Sequence, residues 1–524
     1  MLLSNSKYAA ISIFNFSQVV RIALLLFILL FVMTNTSQAQ TSGKRVKLIH
    51  TDELMYDKSM VDAQRLIGHV QLEYEGTMFY SDSAYLYKND DFDAFGNIRL
   101  IKGVDYNLTG DELHFDHAKK NAQFRNNVTL RDRQMTLTTN FLNYNTATEI
   151  ADYTGGGNIV STKDRNTLSS QKGTYHSKTE TFFFKDKVVL KNPDYTVTSD
   201  TLKYLNTSEI AYFFGPTNIK GDKTSLYCEN GFYDTKKDES RFGKNARVNS
   251  EKNILKGDSI YYNGVKGTGE VFRNVSIRDT TSNYIITGDY GFHDEKSKES
   301  FVTKRALLTQ FYEGGDSLFV HADTLRSRPD SLQKNRVFAY HGVKLFKTDM
   351  QGLCDSLVYV ESDSLISLYK NPVLWNEDSQ ITGDTIDVRA FEGKIENFYV
   401  SGNSWIISEA SKDTYNQIKG RIMTGYFTEN DLTTVDVNGN GQLVYFPEEE
   451  KKGKKNLMGH NKGDCSNIRI HIADKKIIGI KMEIEPNSKF APLSLSTLSE
   501  YKLEGFNWRG EERPKSRAEL LELN

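Results

Sequence analysis

Residues 106–115 read Tyr106-Asn107-Leu108-Thr109-Gly110-Asp111-Glu112-Leu113-His114-Phe115. A Gly-Asp pair is followed here by an alternation in which Leu and Phe occupy every second position. The same phrase, or a close variant with Ser before Asp, returns at intervals of about thirty residues along most of the chain. Its clearest other copies begin at Ser81, Ser199, Gly257 and Gly383. This periodicity predicts a series of similar stacked units rather than a compact enzyme.

A second motif follows each Asp motif by roughly a dozen residues. It consists of a Gly or Asn turn and a short alternating strand, as in Gly96-Asn97-Ile98-Arg99-Leu100 and Asn127-Val128-Thr129-Leu130. About thirteen units of roughly 30 residues fit between Asp52 and Ile480. Because strict apolar-polar alternation is typical of half-buried strands, the sequence predicts an all-β, repetitive, solenoid-like fold.

The composition agrees with a large β-structure and excludes other classes. Hydrophobic residues make up 38% of the chain and aromatic residues 12%, and only 8 of the 524 residues are proline. Aromatic side chains suit a half-buried pleated surface, and few prolines leave the strand ladders unbroken. The net charge of -2 gives no support for nucleic-acid binding.

The ends of the chain differ from the repeats. An apolar run at 22–33, followed by the small residues Ser37 and Ala39, predicts a cleaved secretory signal over residues 1–39. The alternative, an uncleaved anchor, is disfavoured because the run is shorter than the roughly twenty residues that span a bilayer. We expect repeat halves at 40–328 and 329–485. The tail, 486–524, is interpreted either as an end cap or as a docking segment for an outer-membrane partner.

Strand parity predicts which side chains face the inside. In an unbroken strand Asp111, Leu113 and Phe115 share one face, and that face must be the inner one because its other members are apolar. The predicted inner-face residues are Ile98, Leu100, Leu113, Phe115, Val128, Leu130, Leu142, Tyr144, Leu202, Tyr204, Ile260, Tyr262, Val275, Ile277, Leu357 and Tyr359. They line either a ligand-accessible trough or a filled core, and the sequence leaves both open.

The recurring aspartates have two interpretations. Stacked carboxylates can hold calcium, but like charges at strand spacing repel each other, which favours carboxylates satisfied locally at a bend in the strand. We therefore predict structural corner residues and no metal. The predicted corner residues are Asp82, Asp111, Asp200, Asp258, Asp289 and Asp384.

Enzymatic motifs are absent from the sequence. There is no His-Glu-x-x-His, Gly-x-Ser-x-Gly, Walker or Cys-x-x-Cys pattern, so neither catalysis nor a cofactor is expected. A carbohydrate-cleaving β-helix is the remaining enzymatic alternative, because catalytic carboxylates need only meet in space. Cys228, Cys354 and Cys465 are expected to be free thiols in the core.

The combination of the two motifs resembles the family of lipopolysaccharide-transport periplasmic proteins with an OstA-like (organic solvent tolerance) domain. This domain is shared by the bridge component LptA and the N-terminal part of the outer-membrane translocon LptD. The resemblance covers nearly all of residues 52–480, and residues 106–115 are among its clearest copies. The chain departs from the family in length, since it has several times the units of a short bridge module.

The resemblance implies a twisted β-jelly-roll, or β-taco, that holds acyl chains in an apolar trough. It further implies a Gram-negative periplasmic carrier in outer-membrane biogenesis, with lipopolysaccharide or a related glycolipid as its ligand. Other Lpt-type jelly-roll proteins would bind end to end, from the inner-membrane export complex to the outer-membrane translocon. Two alternatives stay open: association with the outer membrane, and an exported structural or adhesive β-solenoid with a filled core.

Overall fold

The computed structural model describes residues 45–521 apart from short gaps. The gaps are at 57–61, 102–106, 132–134, 146, 149, 162–166, 180, 192, 194, 206, 235, 252, 281–282, 313–314, 332–333, 392–393, 430, 452–453, 475 and 496–499. The predicted signal at 1–39 lies outside the described residues and stays a prediction.

The described chain is built almost entirely of β-strands, and strand follows strand in antiparallel pairs, which confirms the predicted repetitive all-β fold. The strands before residue 250 are β1 (Lys47–His50), β2 (Glu53–Tyr56), β3 (Ala63–Tyr74), β4 (Thr77–Tyr87), β5 (Phe92–Ile101), β6 (Asn107–Asp116), β7 (Asn121–Arg131), β8 (Met135–Asn145), β9 (Ile150–Ser161), β10 (Thr167–His176), β11 (Thr181–Lys191), β12 (Tyr195–Leu205), β13 (Ile210–Gly221), β14 (Ser225–Asp234) and β15 (Glu239–Asn249).

The second half of the chain continues in the same way. Its strands are β16 (Asn253–Asn263), β17 (Thr268–Asp279), β18 (Tyr284–Asp294), β19 (Glu299–Phe311), β20 (Ser317–Pro329), β21 (Asn335–Lys347), β22 (Met350–Val360), β23 (Leu365–Tyr369), β24 (Val373–Asn376), β25 (Ser379–Thr382), β26 (Thr385–Phe391), β27 (Lys394–Ser411), β28 (Thr414–Thr428), β29 (Asp431–Tyr445), β30 (Glu448–Lys451), β31 (Lys454–Leu457), β32 (His460–Ala473), β33 (Lys476–Glu483) and β34 (Asn487–Ala491). A short α-helix, α1 (Arg517–Leu520), follows them.

The chain divides into two compact units. Within the described residues, the N-terminal unit holds 45–251 and 256–269, and the C-terminal unit holds 253–255 and 270–521. The repeat boundary predicted between residues 328 and 329 stays a prediction. In the structure β20 and β21 pair directly across that point, with Pro329 opposite Asn335.

Each strand of the N-terminal unit from β3 to β15 is divided by a bend near its middle. Odd-numbered strands carry left-handed residues there, for example Gly96 and Asn97 in β5 and Asn126 and Asn127 in β7. The register between neighbouring strands shifts at the same point. Such bulges bend a strand and increase its twist. We call this line of bends the corner, the side that contains Phe79 half-sheet A, and the side that contains Phe115 half-sheet B.

Glycine is required at one of these bends for two reasons. Gly96 has a φ of 77°, a backbone conformation that residues with a Cβ rarely adopt. A Cβ at this position would also lie 2.5 Å from the Asp82 carboxylate oxygen Oδ2. The Gly-Asn half of the repeat is therefore the part of the sequence that makes the fold turn.

The three cysteines lie in the interior, as predicted. Cys228, Cys354 and Cys465 are free and buried. Burial raises the pKa of the Cys228 and Cys354 thiols to about 12. These side chains are therefore protonated at neutral pH and pack as small apolar groups.

The register also shifts near the middle of β18 to β22 in the C-terminal unit, and there we call this line of bends the corner, the side that contains Phe319 half-sheet A and the side that contains His293 half-sheet B. The C-terminal tail follows one row of residues on the outer face of this half-sheet A. Cross-strand pairing defines this row as Phe319, Phe346, Gln351, Trp375, Gln380, Ile407, Gln417, Val444 and Lys462. Lys462 Nζ donates to the Glu500 carbonyl, and the Arg517 guanidinium lies 5.1 Å from the centre of the Phe319 ring. The tail thus crosses these strands from β32 back to β20.

Three buried glutamines in that row hold the tail. Gln417 Nε2 donates to the Tyr501 carbonyl at 2.6 Å, and its Oε1 accepts from the Leu503 amide at 2.9 Å. Gln380 Nε2 likewise donates to the Asn507 carbonyl, and its Oε1 accepts from the Arg509 amide. Gln351 Oε1 accepts from the guanidinium of Arg513. Apolar contacts accompany them, because Leu503 packs with Trp405, Ile407, Val444 and Phe446.

Candidate functional site

The inner face of half-sheet A carries an uninterrupted apolar row in the N-terminal unit. Because paired residues on neighbouring strands share a face, the row can be followed strand by strand. It reads Leu72, Phe79, Leu100, Leu108, Leu130, Leu137, Ile159, Leu168, Leu190, Val197, Ile219, Leu226 and Val248. No polar side chain interrupts it between β3 and β15.

Half-sheet B opposes this row with two rows of its own. The row next to the corner reads Leu66, Ala84, Ala94, Leu113, Phe124, Leu142, Tyr153, Gly173, Phe184, Leu202, Phe213, Gly231 and Phe242. The row farther from the corner, which we call the mouth row, reads Phe115, Ala122, Tyr144, Ala151, Tyr175, Phe182, Tyr204, Ala211, Tyr233 and Ser240. Aromatic rings and small side chains are interspersed in both rows, and consecutive rings stack, as Tyr175 does on Phe182 at 4.3 Å between ring centroids.

The two half-sheets touch each other through these rows. The Phe79 ring of half-sheet A lies 5.2 Å from the Phe92 ring and 6.2 Å from the Phe115 ring of half-sheet B, measured between centroids. Farther along, a cavity of about 30 Å³ lies between Leu137, Ile159 and Tyr153. That is about the volume of one water molecule. The interior is therefore closely filled by side chains at these positions.

All sixteen predicted inner-face residues are withdrawn from solvent to some degree. Twelve are buried: Ile98, Leu100, Leu113, Phe115, Val128, Leu130, Leu142, Leu202, Tyr204, Ile260, Val275 and Leu357. The other four are half-buried: Tyr144, Tyr262, Ile277 and Tyr359. The structure places the predicted residues of β5 to β12 in the rows just described or beside the corner. Their role in ligand binding stays a prediction.

Sequence reasoning missed several of the large side chains of the interior. Phe124, Phe184, Phe213 and Phe242 are buried on the inner face of half-sheet B, as is Tyr153. Most of them end an Ala-x-aromatic or Phe-x-aromatic triplet just before the bulge, as in Ala122-Gln123-Phe124 and Ala211-Tyr212-Phe213. This triplet lies a few residues before the Gly-Asn motif, and it is the sequence pattern from which these buried aromatic residues could have been predicted.

None of the six predicted corner aspartates is buried: Asp82, Asp111, Asp200 and Asp384 are exposed, and Asp258 and Asp289 are half-buried. Asp111 is exposed, whereas Gly110 on one side of it and Leu113 on the other are buried. The parity expected for an unbroken strand fails because the register shifts between Thr109 and Glu112. Each half of β6 thus alternates correctly, but the two halves are out of phase.

Side chains of the adjacent bulge contact several corner aspartates. Asn97 Nδ2 donates to Asp82 at 2.8 Å and Asn127 Nδ2 to Asp111 at 2.6 Å. Arg305 binds both oxygens of Asp289, at 2.7 and 3.0 Å, and lowers the pKa of that carboxyl. For the remaining positions, Asn403 reaches Asp384 at 3.3 Å, the Thr201 hydroxyl reaches Asp200 at 3.4 Å, and Asp258 is half-buried. A structural role for these aspartates stays a prediction.

Asp355 lies at the bend of β22, and the pH dependence of stability tests whether its contacts there are structural. The Ser356 hydroxyl, Lys370 and His341 hydrogen-bond its carboxylate and lower its pKa from 3.8 to about 2. A carboxyl with a depressed folded-state pKa stabilises the fold above its unfolded pKa, and this contribution disappears as the pH falls through the folded value. Asp355→Asn should therefore lower stability at pH 7 and flatten the loss of stability between about pH 4 and pH 2.

Urea unfolding midpoints at several pH values measure this effect. Asp413→Asn is the matched control, because Asp413 lies on an exposed turn of the same unit. Equal pH profiles for wild type and Asp355→Asn would contradict a structural role for the Asp355 contacts.

No group of three or more His, Cys, Asp or Glu side chains in the part of the chain that the structure describes lies close enough to hold a metal ion. No helix among the described residues is long and apolar enough to cross a bilayer.

Comparison with known proteins gives a family-model match over the N-terminal part of the chain. Residues 43–200 and 196–258 match the family model described as OstA-like protein, which confirms the predicted resemblance there. No curated protein matches. Among solved structures, a match is LptH of Pseudomonas aeruginosa, titled the LptA homologous periplasmic component of the conserved lipopolysaccharide transport device. It is 10% identical over 27% of this chain and 93% of LptH, with a TM-score of 0.21.

Proposed function

We propose that this chain, whose residues 43–258 match the OstA-like family model, is a periplasmic carrier of the lipopolysaccharide transport pathway. In this proposal it acts without catalysis and holds acyl chains between half-sheets A and B. The unbroken apolar row from Leu72 to Val248 is the observation that carries the proposal. Its proposed partners are lipopolysaccharide or a related glycolipid and Lpt-type jelly-roll proteins at either end.

The energetics of lipid transfer explain why such rows are useful. Exposing one fourteen-carbon chain to water costs on the order of 10 kcal/mol, at about 0.8 kcal/mol per methylene. A row of near-equivalent apolar positions allows a chain to move from rung to rung without leaving apolar surroundings. Since the interior is filled near Tyr153, the chains must enter by parting the half-sheets at the mouth row, where Tyr144 is only half-buried.

The filled interior also supports a second candidate function. Ring contacts between Phe79 and Phe115, together with the small cavity beside Tyr153, are what a structural or adhesive β-solenoid with a solid core requires. Such a protein would bind its partner on the outer face. The two candidates differ in whether lipid enters the space between the half-sheets.

Native mass spectrometry of the protein from Gln40 onward, purified gently from envelopes, tests the proposal. A bound multi-acylated glycolipid is expected, and Tyr144→Asp should reduce it because a carboxylate without a partner is costly to desolvate beside alkyl chains. Thr138→Asp is the control, since Thr138 is exposed on the outer face of the same strand. A protein that remains free of lipid after incubation with lipopolysaccharide would favour the solid-core solenoid.

A further inference from the structure

The mouth row of the C-terminal unit contains one polar segment. Followed by cross-strand pairing, this row reads His293, Ser300, Ser327, Val337, Tyr359, Ile366, Val388, Phe398, Gly425, Val435, Ile470 and Ile480. Three consecutive members of the row, His293, Ser300 and Ser327, have small polar side chains or a polar ring. They lie on β18, β19 and β20. The row continues through Tyr359, which is one of the predicted trough residues.

The neighbouring rows show that this segment faces inward. In the adjacent row, two residues closer to the corner along each strand, the paired residues are Gly291, Val302, Leu325, Ala339 and Leu357. These residues are apolar, and Val302 and Leu325 are each 3% exposed. His293, Ser300 and Ser327 are two residues farther along the same strands, so they share the inner face. The polar segment is therefore part of the interior wall and not of the solvated surface.

The polar groups of this segment are buried and incompletely satisfied. Ser327 is 1% exposed, and within the described part of the chain its hydroxyl has no hydrogen-bond partner. Ser300 is 6% exposed, and its hydroxyl lies 2.8 Å from His293 Nδ1. A buried hydroxyl without a partner destabilises the fold, and a hydrogen bond from a ligand would recover that loss.

The segment carries no net charge at neutral pH. Burial lowers the pKa of His293 below its ordinary value, which favours the neutral imidazole. Arg326, adjacent to Ser327, is paired with Glu299 at 2.6 Å, and these two charges cancel. The wall can therefore donate and accept hydrogen bonds but cannot neutralise a phosphate or a carboxylate. It suits a neutral polar group such as a hydroxyl, an ester or an amide.

We infer that His293, Ser300 and Ser327 form a subsite for a neutral hydrogen-bonding group on an acyl chain, such as a hydroxyl substituent. This inference rests on the proposed function, since it requires acyl chains to enter between the half-sheets. In the N-terminal unit the equivalent row presents aromatic rings and alanines from Phe115 to Tyr233 and one isolated serine, Ser240 on β15, in place of a run of polar side chains. A hydroxylated chain would thus be preferred at β18 to β20.

A matched pair of probes tests the subsite on the full mature chain. Tetradecanoic acid and its β-hydroxy derivative differ by one hydroxyl, and displacement of a fluorescent fatty acid measures the affinity of each. Wild type is expected to bind the hydroxylated acid about five-fold more tightly, the effect of one added hydrogen bond. The double variant Ser300→Ala, Ser327→Ala should lose this preference and bind tetradecanoic acid as wild type does.

The possible results distinguish failure of the subsite from failure of the proposed lipid binding. Ser367→Ala is the control, because Ser367 is a buried serine on the opposite face of β23 from inward-facing Leu368. If wild type binds both acids equally, the subsite is refuted while lipid binding stands. If the double variant keeps the preference, the hydroxyl binds elsewhere and the subsite is refuted. If neither acid binds wild type, the proposed function fails and the subsite fails with it.

Discussion

Deletion of residues 493–524 is expected to unfold the C-terminal unit at a much lower urea concentration than the intact protein. The tail covers Trp405 and Phe446 with Leu503, and its backbone satisfies the side chains of Gln380 and Gln417. Its removal exposes apolar surface and replaces the tail's hydrogen bonds to these two amides by hydrogen bonds to water. Together these effects should cost on the order of 5 kcal/mol or more.

Tryptophan fluorescence reports directly on this contact. The chain has 3 tryptophans. Trp375 and Trp405 are buried beneath or beside the tail, and Trp508 belongs to the tail and packs against Tyr415 at 5.0 Å between ring centroids. The truncated protein should show red-shifted emission from its two remaining tryptophans before any denaturant is added. Unchanged emission and an unchanged midpoint would show that the tail is dispensable for this unit.

A point substitution narrows the test to one contact. Leu503→Ala should lower stability by about 2–4 kcal/mol because Leu503 is buried among large side chains. Glu504→Ala is the matched control, since the side chain of Glu504, next to Leu503 in the sequence, is exposed. If both variants have the same midpoint, the apolar contact contributes nothing measurable.

Phe115→Ala should destabilise the N-terminal unit by about 3–5 kcal/mol. Phe115 is 0% exposed, and its ring lies 5.1 Å from both Tyr74 and Phe92 and 6.2 Å from Phe79. Truncation to alanine therefore leaves a cavity between the two half-sheets. A side chain that lined a wide, water-filled trough would lose much less, because its neighbours would already lack contacts on that side.

Urea unfolding of lipid-free protein measures the difference, with Glu112→Ala as the control on the same strand. Glu112 is not buried, and it accepts a hydrogen bond from Asn126 at 3.2 Å. A loss below about 1 kcal/mol for Phe115→Ala would contradict close packing between the half-sheets. Added lipid that restores the midpoint of the variant would indicate that alkyl chains fill the same space.

The repeat made the fold and much of the interior predictable from the sequence. Alternation along a strand is a local property, so Leu113, Phe115, Leu202 and Tyr204 were correctly expected to be withdrawn from solvent. The error concerned Asp111. Parity counts positions in an unbroken strand, and β6 changes phase at its own bend between Gly110 and Leu113, where its register with β7 shifts. The two-residue left-handed bend is visible in the sequence only as Gly or Asn, which many ordinary turns also contain.

The path of the tail could not be predicted. Gln417 and Leu503 are 86 residues apart, and no periodicity connects them. The polar segment of the mouth row was hidden for a similar reason. His293, Ser300 and Ser327 each look like an ordinary strand residue, and only the register across three strands shows that they are neighbours.

Photo-crosslinking inside a Gram-negative cell tests the central claim most directly. A p-benzoylphenylalanine at Tyr204 would lie on the inner mouth row, whereas the same residue at Lys203 would lie on the outer face, where Lys203 contacts the Phe183 ring at 5.5 Å. If acyl chains occupy the space between the half-sheets, irradiation should attach lipopolysaccharide at position 204 and not at 203. Crosslinks to protein alone, or equal lipid attachment at both positions, would contradict the account.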